Sequence, residues 1–200
     1  MIIMSEKSII NQNNTIAEPA ALGLIGLAVA ALILGAADLG LTQGSKSLMI
    51  PWVLMFGATA QLIASLMEFK RDNVFGATVF GTYAMTMYAI ALTLLISIFG
   101  GEEYVITHYA FGLIAILFFS LIATAASLMT NKVLFSILIA VDLAVIALIP
   151  HYLSGYSSNP AGVFLMITSI LSFYAAAAIL LNTMAGKTIL PLGSPIWKIK

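Results

Sequence analysis

The sequence predicts an all-α, polytopic membrane protein with six transmembrane helices. Of its 200 residues, 62% are hydrophobic and 8% are charged, a composition that excludes a water-soluble globular domain. The apolar residues form six runs long enough to cross a hydrocarbon core of about 30 Å at about 1.5 Å per residue. When these runs are threaded through a membrane, nearly all basic residues fall on one side of it.

The six apolar runs follow one another with short polar connections. They cover residues 20–41, 48–69, 75–99, 109–129, 133–150 and 161–181. The fifth run is the shortest and ends at Pro150. No segment outside these runs is long enough for a second folded domain. We therefore expect one transmembrane domain over residues 20–185, between an N-terminal tail (1–19) and a C-terminal tail (186–200).

The distribution of Lys and Arg predicts the orientation. An even number of spans places both termini on one side, together with the loops after the second and fourth spans. That side carries seven of the eight basic residues: Lys7, Lys70, Arg71, Lys132, Lys187, Lys198 and Lys200. The opposite side carries Lys46 and two acids, Glu102 and Glu103. A bias of this size predicts a multi-pass protein of the plasma or inner membrane with both termini cytoplasmic.

Several other features restrict the function. The first 19 residues lack a basic n-region, so they are expected to be a flexible cytosolic tail and not a cleaved signal peptide. The chain has no cysteine, and we expect no metal and no cofactor. Its net charge of zero argues against nucleic-acid binding. His108 and His151 lie at the outer ends of spans, which argues against a twin-histidine ammonium pore and an intramembrane serine protease.

Two ionisable side chains lie inside predicted spans, where an unpaired charge costs about 3 kcal/mol or more. Asp38 is close to the outer end of the first span, where it either caps and reaches the interface or takes part in solute entry. Asp142 is near the middle of the fifth span and has no intramembrane Lys or Arg to pair with. It is either a neutral carboxyl bonded to a neighbouring helix or a proton-exchanging group on a transport path.

Polar uncharged residues form stripes at helical spacing on three spans. The stripes contain Gln61, Ser65 and Glu68; Thr78, Thr82 and Thr86; and Thr168 and Ser172. A single Ser or Thr hydroxyl commonly bonds to its own helix. The Gln61 amide has more donors and acceptors than its own helix can satisfy, so we expect it to face a cavity or another helix.

Three segments of the chain resemble those of a known family, the acetate and succinate permeases of bacteria, archaea and fungi. Residues 18–24, EPAALGL, resemble the signature at the start of the family's first span, with Glu18 in place of Asn and Ala21 in place of Pro. The block from Phe56 to Tyr83, which includes NVFG at 73–76, is similar to the loop and third helix of the family. GKTILPLG at 186–193 resembles its closing motif.

The resemblance implies a six-helix protomer with its own central pore, assembled as a ring-shaped hexamer. It also implies a pore constriction of three apolar or aromatic side chains from spans one, three and five, which match Leu27, Tyr83 and Val141. Each of these residues lies seven to nine positions from the cytosolic end of its span. At about 1.5 Å per residue they share a depth of about 10 to 14 Å, as a gate requires.

The function implied is transport of acetate and other small mono- or dicarboxylates such as succinate, coupled to or dependent on protons, and not catalysis. The substrate pathway is expected to include Pro19, Leu22, Gly23, Gln61, Thr82, Ser172 and Tyr174. Proton coupling is expected to involve Asp142, Glu68 or Asp38. A urea or short-amide channel of similar hexameric architecture is the main alternative, because a neutral solute would also pass an uncharged constriction. An intramembrane hydrolase is a second alternative.

Overall fold

The computed structural model describes residues 16–100 and 105–198. Residues 1–15, 101–104 and 199–200 lie outside the described residues, and with them Lys7, Glu102, Glu103 and Lys200. Six helices are long and apolar enough to cross a membrane: α1 (Ala20–Asp38), α2 (Lys46–Phe69), α3 (Val74–Phe99), α4 (Thr107–Ser127), α5 (Lys132–Ser154) and α6 (Asn159–Ala185). The described residues contain no strand. The prediction of an all-α protein with six transmembrane helices is confirmed.

The helix ends follow local side-chain chemistry. Asn73 precedes α3, and its side-chain oxygen accepts a hydrogen bond from the Gly76 amide at 3.2 Å. Asn131 caps α5 in the same way through the Leu134 amide at 3.0 Å. The fifth span does not stop at Pro150, as the apolar run indicated, but continues to Ser154 and ends at Gly155, whose φ of 72° suits glycine.

The second span is not a regular α-helix. It begins with a 3₁₀ turn at Lys46–Leu48 and a short α segment at Met49–Trp52. It continues as a π-helix over Val53–Ala60 before returning to α geometry at Gln61–Phe69. π segments are often found at functional sites, because they move side chains and carbonyls out of the α register. This one ends directly before Gln61.

The six helices form a closed ring. Each helix packs against its neighbours in sequence, and α6 returns to pack extensively against α1. The contact between α3 and α4 is the smallest between sequence neighbours. Across that seam the Tyr83 hydroxyl lies 2.7 Å from the Ser120 hydroxyl, and the Tyr83 and Phe119 rings pack edge to face. The ring therefore encloses an interior with one lightly packed seam.

Small residues bring α1 and α6 close together. Ser169 on α6 donates a hydrogen bond to the backbone carbonyl of Ala28 on α1 at 2.8 Å. Nearer the end that carries Asp38, Gly35 and Gly162 face each other. A β-carbon built on Gly162 would lie 2.9 Å from the Leu39 backbone nitrogen and 3.0 Å from the Gly35 carbonyl oxygen. Glycine is therefore needed for this helix approach.

Gly162→Ala is expected to destabilise the bundle. The added methyl group meets backbone atoms, which cannot rotate away, so α1 and α6 must separate at a cost of about 1–3 kcal/mol. Thermal unfolding of the purified protein in detergent should show a lower midpoint. Gly112→Ala on α4 is the matched control, because a β-carbon there meets nothing within 4 Å. An equal midpoint for the two variants would contradict this packing.

Both tails contact the same end of the bundle. Glu18, just before α1, forms an ion pair with Arg71 in the α2–α3 loop at 2.6 Å. In the C-terminal tail, the backbone amides of Ile196 and Trp197 donate to the Leu128 carbonyl at 3.0 and 2.9 Å. This end therefore gathers residues 16–19, the α2–α3 and α4–α5 loops, and residues 186–198.

Candidate functional site

Two small cavities lie inside the helix ring, one towards each end of the bundle. The first, named here the Asp38 cavity, has a volume of about 110 Å³ and reaches from the mid-bundle to Asp38 and Lys46. The second, the Glu68 cavity, has a volume of about 70 Å³ and reaches to Glu68 and Asn73 at the opposite end. Both are far smaller than the roughly 300–1,000 Å³ pockets that hold drug-sized ligands, so only a small solute fits.

The two cavities meet at the residues that the sequence predicted to form a constriction. Leu27 on α1 and Tyr83 on α3 line both cavities, whereas Val141 on α5 lines the Asp38 cavity. Their exposed fractions are 6%, 3% and 8%. Three different helices thus bring two aliphatic side chains and one phenol together where the cavities approach each other. Such a group permits passage only to a small solute that sheds most of its water.

The Glu68 cavity contains two buried oxygen atoms that lack partners among the described residues. The Gln61 amide nitrogen donates to the Gly57 carbonyl at 2.6 Å in the π-helix, which leaves Gln61 Oε1 without a partner. Glu68 Oε2 accepts from the Asn73 amide at 2.9 Å, and Glu68 Oε1 has no partner. A lining of unsatisfied acceptors favours a ligand or a proton that supplies a hydrogen-bond donor.

The Asp38 cavity combines opposite charges at its mouth with apolar walls. Asp38 and Lys46 both line it. The rings of Tyr109 and Tyr152 also line it and pack edge to face with centroids 4.7 Å apart. Asp38 therefore lies at a cavity entrance and not against lipid. A carboxylate and an ammonium at one mouth present a polar entrance that leads to the apolar constriction.

Asp142 is buried beside the constriction but does not line either cavity. One of its carboxyl oxygens accepts a hydrogen bond from Ser120, and the other accepts one from Thr124 at 2.7 Å, both on α4. The Ser120 hydroxyl is also bonded to the Tyr83 hydroxyl at 2.7 Å. The Asp142 carboxyl is thus bonded to a neighbouring helix and connected, through one serine, to the phenol at the constriction.

Three residues expected on the substrate pathway do not line either cavity, namely Thr82, Ser172 and Tyr174. Thr82 directly precedes Tyr83 and faces another direction, because adjacent residues of a helix project about 100° apart. Thr86, three positions after Tyr83, lines the Asp38 cavity instead. Ser172 is fully buried between helices, and its hydroxyl has no partner among the described residues.

The signature residues at the start of α1 also lie outside both cavities. Pro19 is buried, and its carbonyl accepts from the Leu22 and Gly23 amides at 3.0 and 3.2 Å, which starts the helix. Leu22 is 41% exposed on the bundle exterior. Gly23 packs against the Phe80 ring, which lies 2.6 Å from the position that a β-carbon on Gly23 would take. In this structure they set the start of α1 and its distance from α3.

Tyr174 contacts the C-terminal tail. Its hydroxyl donates to the Pro191 carbonyl at 2.8 Å. Tyr174→Phe is therefore expected to lower the free energy of unfolding by about 1 kcal/mol, the usual value of one hydrogen bond, and to leave solute flux per folded protein unchanged. Thermal unfolding and flux measured on the same preparation test both points. A loss of flux at unchanged stability would instead place Tyr174 on the pathway.

The partners of Asp142 were not among the residues predicted from the sequence. Ser120 and Thr124 are four positions apart and so share one face of α4. Their spacing in an otherwise apolar helix was the available signal. Pairing that face with Asp142 requires the packing of α4 against α5, which hydropathy does not supply. The π-helix in α2, which exposes the Gly57 carbonyl to Gln61, was missed for the same reason.

Comparisons with known proteins agree with this architecture. The chain is 28% identical over 192 residues to the succinate-acetate/proton symporter SatP of Escherichia coli K12, covering 90% of this chain and 97% of SatP. It is also 28% identical over 208 residues to an uncharacterised protein of Methanothermobacter thermautotrophicus, covering 94% and 96% of the two chains. The solved structure of the bacterial acetate channel SatP shares the fold, with a TM-score of 0.83 and 24% identity over 90% of this chain and all of that one. The model of the GPR1/FUN34/yaaH family matches residues 4–192, and the chain belongs to this family.

Proposed function

We propose that this protein carries small carboxylates, acetate and succinate among them, across a membrane through the interior of a single protomer. The observation that carries the proposal is the pair of small cavities that meet at Leu27 and Tyr83. Together they run from Asp38 and Lys46 at one end to Glu68 and Asn73 at the other. The constriction between them is apolar apart from one phenol, which favours selection by size.

The chemistry of the path supports passage together with a proton. An isolated carboxylate is costly to move into an apolar constriction, because it loses hydration that the aliphatic walls do not replace. A proton carried with the solute, or on a nearby protein carboxyl, reduces that cost. Glu68 presents an unpaired oxygen to one cavity, and Asp142 is bonded to the constriction through Ser120. We propose that one or both of these carboxyls take up the coupled proton.

The relatives support the same assignment. SatP of Escherichia coli carries the name succinate-acetate/proton symporter, and the structure that shares this fold is that of an acetate channel. A transport function also accounts for polar groups inside an otherwise apolar bundle, which packing does not require. We therefore propose transport and not a catalysed reaction as the activity of this chain.

We also propose the orientation and the assembly. The end that gathers Arg71, Lys132 and the C-terminal tail is placed in the cytoplasm, because short basic loops stay on that side. The membrane is then the plasma or inner membrane. Assembly as a hexamer is proposed from the family resemblance. Native mass spectrometry of the detergent-solubilised protein would give the number of chains.

Counterflow of labelled acetate in proteoliposomes tests the function. Vesicles loaded with unlabelled acetate should accumulate label faster than empty liposomes of the same lipid, in a saturable manner. Excess succinate should compete with the label, and excess urea should not. No flux above that of empty liposomes would overturn the proposal. Competition by urea instead of succinate would favour a channel for neutral amides.

A further inference from the structure

We propose that Ser120 is a positioning residue that transmits the protonation state of Asp142 to the hydroxyl of Tyr83, and so decides whether the constriction offers a hydrogen-bond donor to the solute. The inference rests on the proposed function, since it needs a solute that passes Tyr83. It assigns a role to a residue that lines neither cavity. It also identifies the route by which a buried carboxyl would act on the pathway.

The geometry is a chain of three groups from three helices. Tyr83 on α3 and Ser120 on α4 have hydroxyl oxygens 2.7 Å apart. Ser120 is bonded in turn to one carboxyl oxygen of Asp142 on α5. All three side chains are buried. The chain crosses the α3–α4 seam, where sequence neighbours touch least, and joins Tyr83 to α4 and α5 by hydrogen bonds.

When Asp142 is ionised, the direction of every bond in the chain is fixed. A carboxylate accepts hydrogen bonds but donates none. Ser120 must therefore donate its single hydroxyl hydrogen to Asp142. Tyr83 can then bond to Ser120 only by donating its own hydrogen. In this state the Tyr83 oxygen presents lone pairs to the cavities and repels a carboxylate.

When Asp142 is protonated, the chain can reverse. Thr124 donates to the second carboxyl oxygen at 2.7 Å, which leaves the oxygen beside Ser120 as the position for the proton. That carboxyl O–H donates to Ser120, and Ser120 donates to Tyr83. The Tyr83 hydrogen is then free to turn towards the cavities. The solute carboxylate therefore gains a hydrogen-bond donor at the constriction only after Asp142 has taken up a proton. This couples solute binding at Tyr83 to protonation of Asp142.

No competing charge lies beside this carboxyl among the described residues of the packed helices. α6, which packs against α5, contains no Asp, Glu, Lys, Arg or His, and its one tyrosine, Tyr174, donates to the Pro191 carbonyl in the C-terminal tail. The titratable group that faces Asp142 from α3 is the Tyr83 phenol. The other charged or titratable residues of α4 and α5 lie at the helix ends: His108, Tyr109, Lys132, His151 and Tyr152. Ser120 therefore forms the hydrogen-bonded connection between Asp142 and Tyr83.

Ser120→Ala in the full-length protein tests the link. Without Ser120 the Tyr83 hydroxyl is free in both protonation states of Asp142. Flux of labelled acetate, corrected for empty liposomes, should then be as high at alkaline pH as at acid pH, so the acid-to-alkaline flux ratio falls to unity.

Ser127→Ala is the matched control, because this buried serine of the same helix donates to the Thr124 carbonyl at 2.6 Å and not to Asp142. Ser127→Ala should keep the wild-type flux ratio. Ser120→Thr, which retains a hydroxyl, should also show the wild-type ratio. A wild-type ratio in Ser120→Ala overturns the inference.

A spectroscopic measurement separates this inference from the proposed function. Infrared difference spectra between acid and alkaline pH should contain a protonated-carboxyl band that is lost in Asp142→Asn. That band should move to higher wavenumber in Ser120→Ala, where the carboxyl O–H has lost its acceptor, and stay unchanged in Ser127→Ala. An absent Asp142 band, or one that does not respond to Ser120→Ala, overturns the link. Absence of acetate flux in the wild type, with the band shift present, would overturn only the proposed function.

Discussion

Leu27→Ala is expected to relax size selection, so that butyrate passes nearly as readily as acetate. Leu27 lines both cavities and lies where they meet, so shortening it joins the two spaces. Butyrate is longer than acetate by two methylene groups, and one methylene in a tight apolar site is worth about 1–3 kcal/mol. The butyrate-to-acetate flux ratio should therefore rise about tenfold or more. Parallel uptake of the two labelled acids by the same proteoliposomes measures it.

Leu24→Ala is the matched control for this experiment. Leu24 is buried on the same helix and lines only the Glu68 cavity, so its truncation enlarges one cavity without joining the two. Both variants lose a buried leucine, at a cost of about 2–5 kcal/mol in stability, and flux is compared per folded protein. An unchanged flux ratio in Leu27→Ala, or an equal rise in both variants, would remove Leu27 from the constriction.

Asp142→Asn is expected to abolish the pH dependence of acetate flux that remains after correction for empty liposomes. The amide has nearly the shape of the carboxyl and can still bond to Ser120 and Thr124. It takes up no proton, so the hydrogen bonds that reach Tyr83 no longer change with pH. The acid-to-alkaline flux ratio, measured with equal acetate on both sides, should fall to unity.

The control for that substitution is Asp72→Asn in the α2–α3 loop. Asp72 is exposed and has a φ of 55°, which asparagine also tolerates, so the same chemical change is made at a surface position that lines neither cavity. Its pH profile should match that of the wild type. A wild-type profile in Asp142→Asn as well would make the Asp142 carboxyl a structural group that joins α4 and α5.

The spans could be predicted closely from the sequence, because burial in lipid makes the hydrophobic signal long and continuous. All six were found, and the fifth was underestimated because its apolar run ends at Pro150, whereas the helix continues to Ser154. The π-helix at Val53–Ala60 was not foreseen. It depends on close packing: Gly57 lies against Ala30 of α1 and Met87 of α3, contacts between helices that composition does not encode.

The sequence indicated how deep the candidate site residues lie in the membrane, but not which way their side chains point. The family resemblance indicated Leu27, Tyr83 and Val141, and counting residues from the end of each span places them at one level. The structure brings these three together. Depth alone also selected Ser172 and Tyr174, which lie at a similar level but face other helices or the tail. Which way a residue points depends on the rotation of its helix in the bundle, and that is set by packing.

Cysteine modification at Leu27 is the most direct test that the solute passes this constriction. The chain contains no cysteine, so Leu27→Cys gives a single reactive thiol without background changes, and Leu22→Cys on the exterior of α1 serves as the control. The account predicts that a small thiol reagent blocks labelled-acetate flux through Leu27→Cys, that excess acetate slows this block, and that modified Leu22→Cys keeps its flux. Full modification of Leu27→Cys with unchanged flux would contradict the account.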